Sequence, residues 1–318
     1  MRAVLLLALA AMAWVAEPLQ VVATVPELGL IAREILGDEA EVTVLARYRE
    51  DPHQVIAKPS FIPRLRRADL LLEVGLELEI GWLPPLLAGA RRMDLPRITV
   101  GQLIRPLGVP TGPVDRSHGH VHAAGNPHAL CDPLVGWQVA RAVAEAGLQA
   151  RPAGTIAARR DAFAVRLAKA WIGQDLAPDI AMAVLEKEDP VLYLGGRRLP
   201  APGGWFAALA ALRGKQMVAD HDLWPYLARR GGFSVVAFLE PLPGVPPTEA
   251  HLAHLIQRIR ADGLGHILVV PYLDQRQARR VAEASGTRVV ELPHQPRDED
   301  ATYAAWIDHL VRTLVAAP

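Results

Sequence analysis

From residue 19 onward the chain alternates short runs rich in Val, Ile and Leu with longer stretches whose apolar residues recur at helical spacing. Such alternation makes each strand return through a crossover helix, which yields a parallel sheet buried on both faces. Strands are expected over residues 19–25, 41–46, 69–74 and 97–100, with helices over 27–36, 59–67 and 80–88. Pro59 and Pro63 lie early enough to be tolerated near a helix start. The pattern returns with strands over 216–219, 234–239, 266–270 and 288–291 and helices over 223–230, 247–261, 275–284 and 301–314. Between the two series, Val135, Val139 and Val143 mark a helix over 132–146, and a second helix is expected over 154–171. The implied fold class is α/β: two lobes, each with a mainly parallel sheet flanked by helices, joined by a long bridging helix and separated by a cleft.

A length of 318 residues suits two domains built around separate cores. The expected divisions are 1–16, 17–150 as the first lobe, 151–188 as the bridging region and 189–318 as the second lobe. Gly195, Gly196 and the 200–204 stretch break any regular period, so 189–214 reads as an irregular insertion. Lys plus Arg equals Asp plus Glu at 34 each, which removes the global field that would steer the chain toward nucleic acid or anionic lipid. Residues 1–16 combine Arg2, a short apolar run and the small residues Ala11 and Ala13, the composition of a cleaved secretory signal. The apolar run is shorter than the roughly 20 residues a spanning helix needs. Export to the periplasm is expected, without a lipid anchor, since the signal region holds no cysteine. Cys131 is the sole cysteine, so an intramolecular disulfide is impossible.

Three of the eleven histidines stand in loops close to predicted strand ends or helix starts, where α/β folds carry their ligands: His53, His128 and His221. Neutral imidazole is the commonest zinc ligand, and three of them leave one tetrahedral position for another His, a carboxylate or water. Spacing alone leaves open that each is a capping or solvated loop residue.

The residues around them are more specific. Asp51-Pro52-His53, Lys58-Pro59-Ser60, Ala68-Asp69-Leu70 and Gly75-Leu76-Glu77-Leu78-Glu79 with Trp82-Leu83 resemble the zinc and manganese solute-binding proteins of ABC importers. So do Asn126-Pro127-His128 with Asp132-Pro133, the run from His221 to Tyr226, and Glu240-Pro241 through Pro247. The resemblance spans nearly the whole chain after residue 16 and implies a monomeric metal receptor, not an enzyme, that delivers its ion to an inner-membrane permease. It implies metal binding by His53 and His128 from the first lobe and His221 from the second. Three histidines imply Zn2+, with Mn2+ as the alternative cargo, in keeping with the preference of hard oxygen donors for manganese.

The chain departs from the family at Leu130 and Cys131, in the length of 189–214, and at 292–298, where relatives supply an acidic fourth ligand. Here that stretch reads Leu-Pro-His-Gln-Pro-Arg-Asp, so His294 is the nearest substitute, with Asp298, Glu291 and Glu240 behind it. Glu240 is expected to hold a turn or to orient a ligand histidine. Cys131 is expected to fill space as a small apolar residue. His118, His120 and His122 form a separate cluster in a Gly-containing loop, expected to collect metal loosely as an accessory tract. Rival readings are an exported zinc hydrolase, for which no H-E-x-x-H or G-x-S-x-G motif is present, and a receptor for haem or a metal chelate.

Overall fold

The computed structural model describes residues 17–110, 112, 122–151, 155–187, 193–194, 197–198, 202–240 and 246–316. Residues 1–16, expected to be a signal, His118, His120 and parts of 189–214 lie outside the described residues. Among the described residues no helix is long and apolar enough to cross a membrane.

The first lobe runs β1 (Leu19–Ala23), α1 (Pro26–Leu36), β2 (Ala40–Val44), α2 (Phe61–Arg67), β3 (Leu70–Glu73), α3 (Leu83–Ala90), β4 (Arg97–Thr99) and the short α4 (Val100–Leu103). Its four strands pair in parallel in the order β2-β1-β3-β4. Two helices follow, α5 (Pro133–Ala150) and α6 (Thr155–Ile172), then α7 (Pro178–Leu185). At 18 residues, α6 extends about 27 Å. It packs on α1, α5, α7 and α8 (Gly204–Leu209), which makes it the bridge between the lobes.

The second lobe opens with the two-residue antiparallel strands β5 (Tyr193–Leu194) and β6 (Arg197–Arg198) ahead of α8. It continues through β7 (Gln216–Ala219), α9 (Pro225–Gly231), β8 (Ser234–Phe238), α10 (Glu249–Asp262), β9 (His266–Val269), α11 (Arg276–Ser285), β10 (Arg288–Glu291) and α12 (Tyr303–Ala316). The order β10-β9-β7-β8 is again parallel.

Four expectations are corrected. The 189–214 segment is not wholly irregular, since it carries α8 and a 3-10 turn at Ala210–Leu212. Gly204 explains why the pattern was hidden. Its φ is +54° and a Cβ there would lie 2.3 Å from the carbonyl of Ala170, so only glycine lets α8 start against the end of α6. The helix expected from residue 80 begins at Leu83, because Leu76 and Glu77 take positive φ and buried Glu79 ties the preceding turn together. Glu79 accepts from the Thr24 hydroxyl and from the N–H groups of Val74 and Gly75. The helix expected from Pro59 begins at Phe61, Pro59 spending its carbonyl on a turn to Ile62.

The fourth correction concerns the core. Strand alternation sends Val21 and Ala23 one way and Val22 the other, and likewise separates Met217 and Ala219 from Val218. The inner set from both sheets joins α1, α5, α6 and α12 in one buried cluster that includes Trp137, Trp171 and Trp306. Two smaller clusters cover the outer faces. The lobes therefore share one core on their inner faces while each keeps a separate core on its outer face.

Candidate metal centre

All four implicated histidines lie just beyond strand C-terminal ends or at a helix entrance: His53 after β2, His128 ahead of α5, His221 after β7 and His294 after β10. Among the described residues, His53, His128 and His221 form a group whose ligand nitrogens lie within 4.8 Å of one another. A tetrahedral zinc with bonds of about 2.05 Å sets its nitrogens about 3.4 Å apart, so the rings need draw in by no more than about 1.4 Å.

The local sequence fixes each ring. Asp51-Pro52-His53 and Asn126-Pro127-His128 are the same device used twice: an Asx side chain accepts the N–H two residues on, at 2.9 Å in both cases, and the proline stiffens the link. At the third site Asp220 Oδ1 accepts from His221 N at 2.7 Å while its Oδ2 accepts from Val270 N at 2.8 Å. Burial pushes the Asp220 carboxyl up to about 7 despite those bonds.

Carboxylates also select the tautomers. His53 Nδ1 lies 2.9 Å from Asp51 Oδ1 and His221 Nδ1 lies 3.2 Å from Glu240 Oε2. A carboxylate only accepts, so each neutral ring carries its proton on Nδ1 and leaves the Nε2 lone pair for a ligand. Burial works to raise the Asp51 carboxyl, but the hydrogen bonds it accepts from the His53 ring and backbone outweigh it and leave Asp51 below the usual value. Asp51, His53, His221, Glu240 and Tyr272 border a cavity of about 70 Å3, the room left beside the rings.

His128 and His294 are more deeply enclosed. They are 4 % and 5 % exposed, and their ring centroids are 4.9 Å apart. His128 Nε2 and His294 Nδ1 are buried and have no hydrogen-bond partner among the described residues. An orphaned buried polar atom costs about 1–3 kcal/mol, a cost that a bound cation would remove. Burial holds His128 well below the ordinary imidazole pKa and lowers His294 to about 3, so both rings stay neutral and able to coordinate. His294 stands beside the triad and outside its tightest set.

The structure does not bring the other fourth-ligand candidates to the rings as metal donors. Glu291 is exposed and bonded to Gln275, Asp298 is exposed, and Glu240 serves His221 from behind. Cys131 is buried and its thiol donates to the His128 carbonyl; burial pushes its pKa up, which suits a space-filling residue.

His122 departs from the sequence reading. It was grouped with His118 and His120 as a tract apart from the triad, yet its ring stacks on His53 at 5.2 Å and its Nε2 lies 3.1 Å from His53 Nε2. With the Nδ1 proton of His53 directed at Asp51, its Nε2 is the acceptor in this contact, the same atom that a metal would take from His122. Spacing gave no hint of this contact. The orienting role of Asp51 was also missed, although the repeated Asx-Pro-His tripeptide signalled it.

A family model described as "Zinc-uptake complex component A periplasmic" (ZnuA) matches residues 21–195 and 204–317. Among solved structures, ZnuA is 20 % identical with a TM-score of 0.68, over 94 % of this chain and 99 % of that one. The SBP FpvC from Pseudomonas aeruginosa in complex with Mn2+ is 20 % identical with a TM-score of 0.71, over 94 % and 98 %. A Cd-bound periplasmic metal binding protein from Candidatus Liberibacter asiaticus is 18 % identical with a TM-score of 0.65, over 93 % and 98 %. At such identities the structural likeness establishes the shared two-lobed fold, while the family match spans nearly the whole described chain. The chain belongs to the zinc-uptake complex component A family of periplasmic proteins.

Proposed function

We propose that this chain is a periplasmic receptor that captures one divalent transition metal, zinc before manganese, and delivers it to the permease of an ABC importer. The observation that carries the reading is the convergence of three imidazoles from both lobes, with His128 Nε2 buried and unsatisfied among the described residues. His53, His128 and His221 are the ligands in this reading, and His294 supplies the fourth position. A donor set of imidazole nitrogens favours zinc, since manganese prefers oxygen.

Solved structures of this fold are described with zinc, manganese or cadmium bound, so the donor set of this chain, not the fold, selects the metal. The segment 1–16 acts as the export signal, and the mature chain works as a monomer without catalytic turnover. The lobes divide as 17–150 and 189–318 with the bridge between them. His118 and His120 belong to an accessory collecting tract whose last member, His122, reaches the site.

Native mass spectrometry with elemental analysis of protein from its own periplasm tests the reading. One zinc per chain is expected. A bound organic chelate or haem, or turnover of ester, phosphoester or lactam substrates, would sink it.

A further inference from the structure

Gln295 follows His294 in the loop after β10 and is 1 % exposed. Its carboxamide crosses the cleft to the loop that carries His53. Oε1 accepts from Arg49 N at 2.9 Å and Nε2 donates to Glu50 O at 2.9 Å. A neutral amide is the side-chain group that offers one donor and one acceptor side by side, as an adjacent backbone N–H and C=O require. We propose that Gln295 is a positioning residue that latches the His53 loop across the closed cleft and so sets how long the metal stays bound. This inference rests on the metal-receptor reading above.

Three further contacts make the loop respond as one body. Arg49 holds a left-handed φ of +64°, which L side chains adopt at a cost and keep only when held, and its guanidinium donates to Pro271 O at 3.0 Å. Glu50 accepts from Arg47 N at 2.9 Å, closing the loop on itself. Asp51 comes next and fixes both the backbone and the ring of His53. The path therefore runs from the neighbour of His294 to His53 through bonded groups. Because Gln295 and Arg49 belong to different lobes, both amide bonds form only when the cleft is shut. The latch favours the closed state, and in such a case the effect falls on the release rate more than on capture.

Gln295→Leu keeps the volume and removes both bonds. Zinc release into excess chelator should accelerate roughly tenfold, each neutral hydrogen bond being worth a few-fold. The association rate constant and the melting temperature of the metal-free protein should stay at wild-type values, and exchange of the Arg49 amide in the zinc-loaded protein should speed up. An unchanged release rate overturns the proposal, as does faster release accompanied by a lower metal-free melting temperature, which would mark a merely structural role. If wild type itself takes up no zinc, the receptor reading falls and the latch with it, whereas zinc uptake by both proteins with equal release rates overturns the latch alone.

Discussion

Asp51 Oδ1 accepts two hydrogen bonds from one residue, the backbone N–H and the ring Nδ1 of His53, each at 2.9 Å. A single carboxylate oxygen thereby sets the position and the tautomer of the ring. Asp51→Asn keeps the shape and removes the charge, and partners of this kind are worth about 10- to 100-fold in metal affinity. Zinc affinity measured by chelator competition should fall by that amount, and Glu240→Gln should act likewise through His221. Wild-type affinity in both variants would mean that the rings orient without their carboxylates.

The tight set His53, His128 and His221 should dominate affinity. Alanine at any of the three is expected to weaken zinc binding by orders of magnitude. His294→Asp exchanges a nitrogen donor for a hard oxygen and should move preference toward manganese in a two-metal competition. An unchanged zinc-to-manganese ratio in His294→Asp would remove His294 from the coordination sphere.

The His294 pKa, lowered to about 3 by burial, makes the metal-free fold acid-sensitive. The unfolded chain takes up a proton near pH 6.5 that the native ring refuses. This contribution to stability is therefore fully present above pH 6.5 and is lost as pH falls from 6.5 toward 3. His294→Gln should narrow the gap in metal-free melting temperature between pH 7 and pH 4. Zinc release should take up more than one proton per ion below about pH 6, because imidazole must be neutral to bind. Titration in buffers of different ionisation enthalpy reads that number, and affinity unchanged between pH 7 and pH 5 would point to carboxylate ligands.

Glu27 works in the opposite sense. It is 3 % exposed, its Oε2 has no hydrogen-bond partner among the described residues, and burial raises its pKa to about 8. Native Glu27 keeps a proton that the unfolded chain releases near pH 4.5. Its contribution is present below that value and lost as pH rises through 8. Glu27→Gln should gain stability relative to wild type across that window, by denaturant titration at pH 5 and pH 8.5. An equal difference at both values would show that the carboxyl does not titrate there.

The contact of His122 with His53 separates it from its neighbours in the tract. Deleting residues 117–121 while keeping His122 should abolish a weak second zinc equivalent and leave the tight one within about tenfold, or roughly 1.4 kcal/mol. Calorimetric titration that loses the tight equivalent and keeps the weak one would reverse the assignment.

The sheets were legible because parallel strands buried on both faces announce themselves as apolar runs, and β7 and β10 span the residues expected. The histidines were legible by position in loops after strands. What escaped the sequence was set by tertiary contact. Glu79 decides where α3 starts through bonds to Thr24 and the backbone 55 and 4 to 5 residues away. Gln295 meets Arg49 across 246 residues. No local period reports such pairings, whereas the Asx-Pro-His turns, being local, were written in the chain twice.

The cluster that joins the inner faces of both sheets through α5, α6 and α12 has a mechanical consequence. Opening the cleft widely would shear side chains packed at crystal-like density, including Trp171 and Trp306. The lobes are thus stiffly coupled, and excursions should be small rocking movements instead of a free swing about a linker. Heat should melt β1 and α12 in one cooperative event, so an ion held between the lobes protects both elements at once, and any partner that pulls on one lobe must strain the packing of the other.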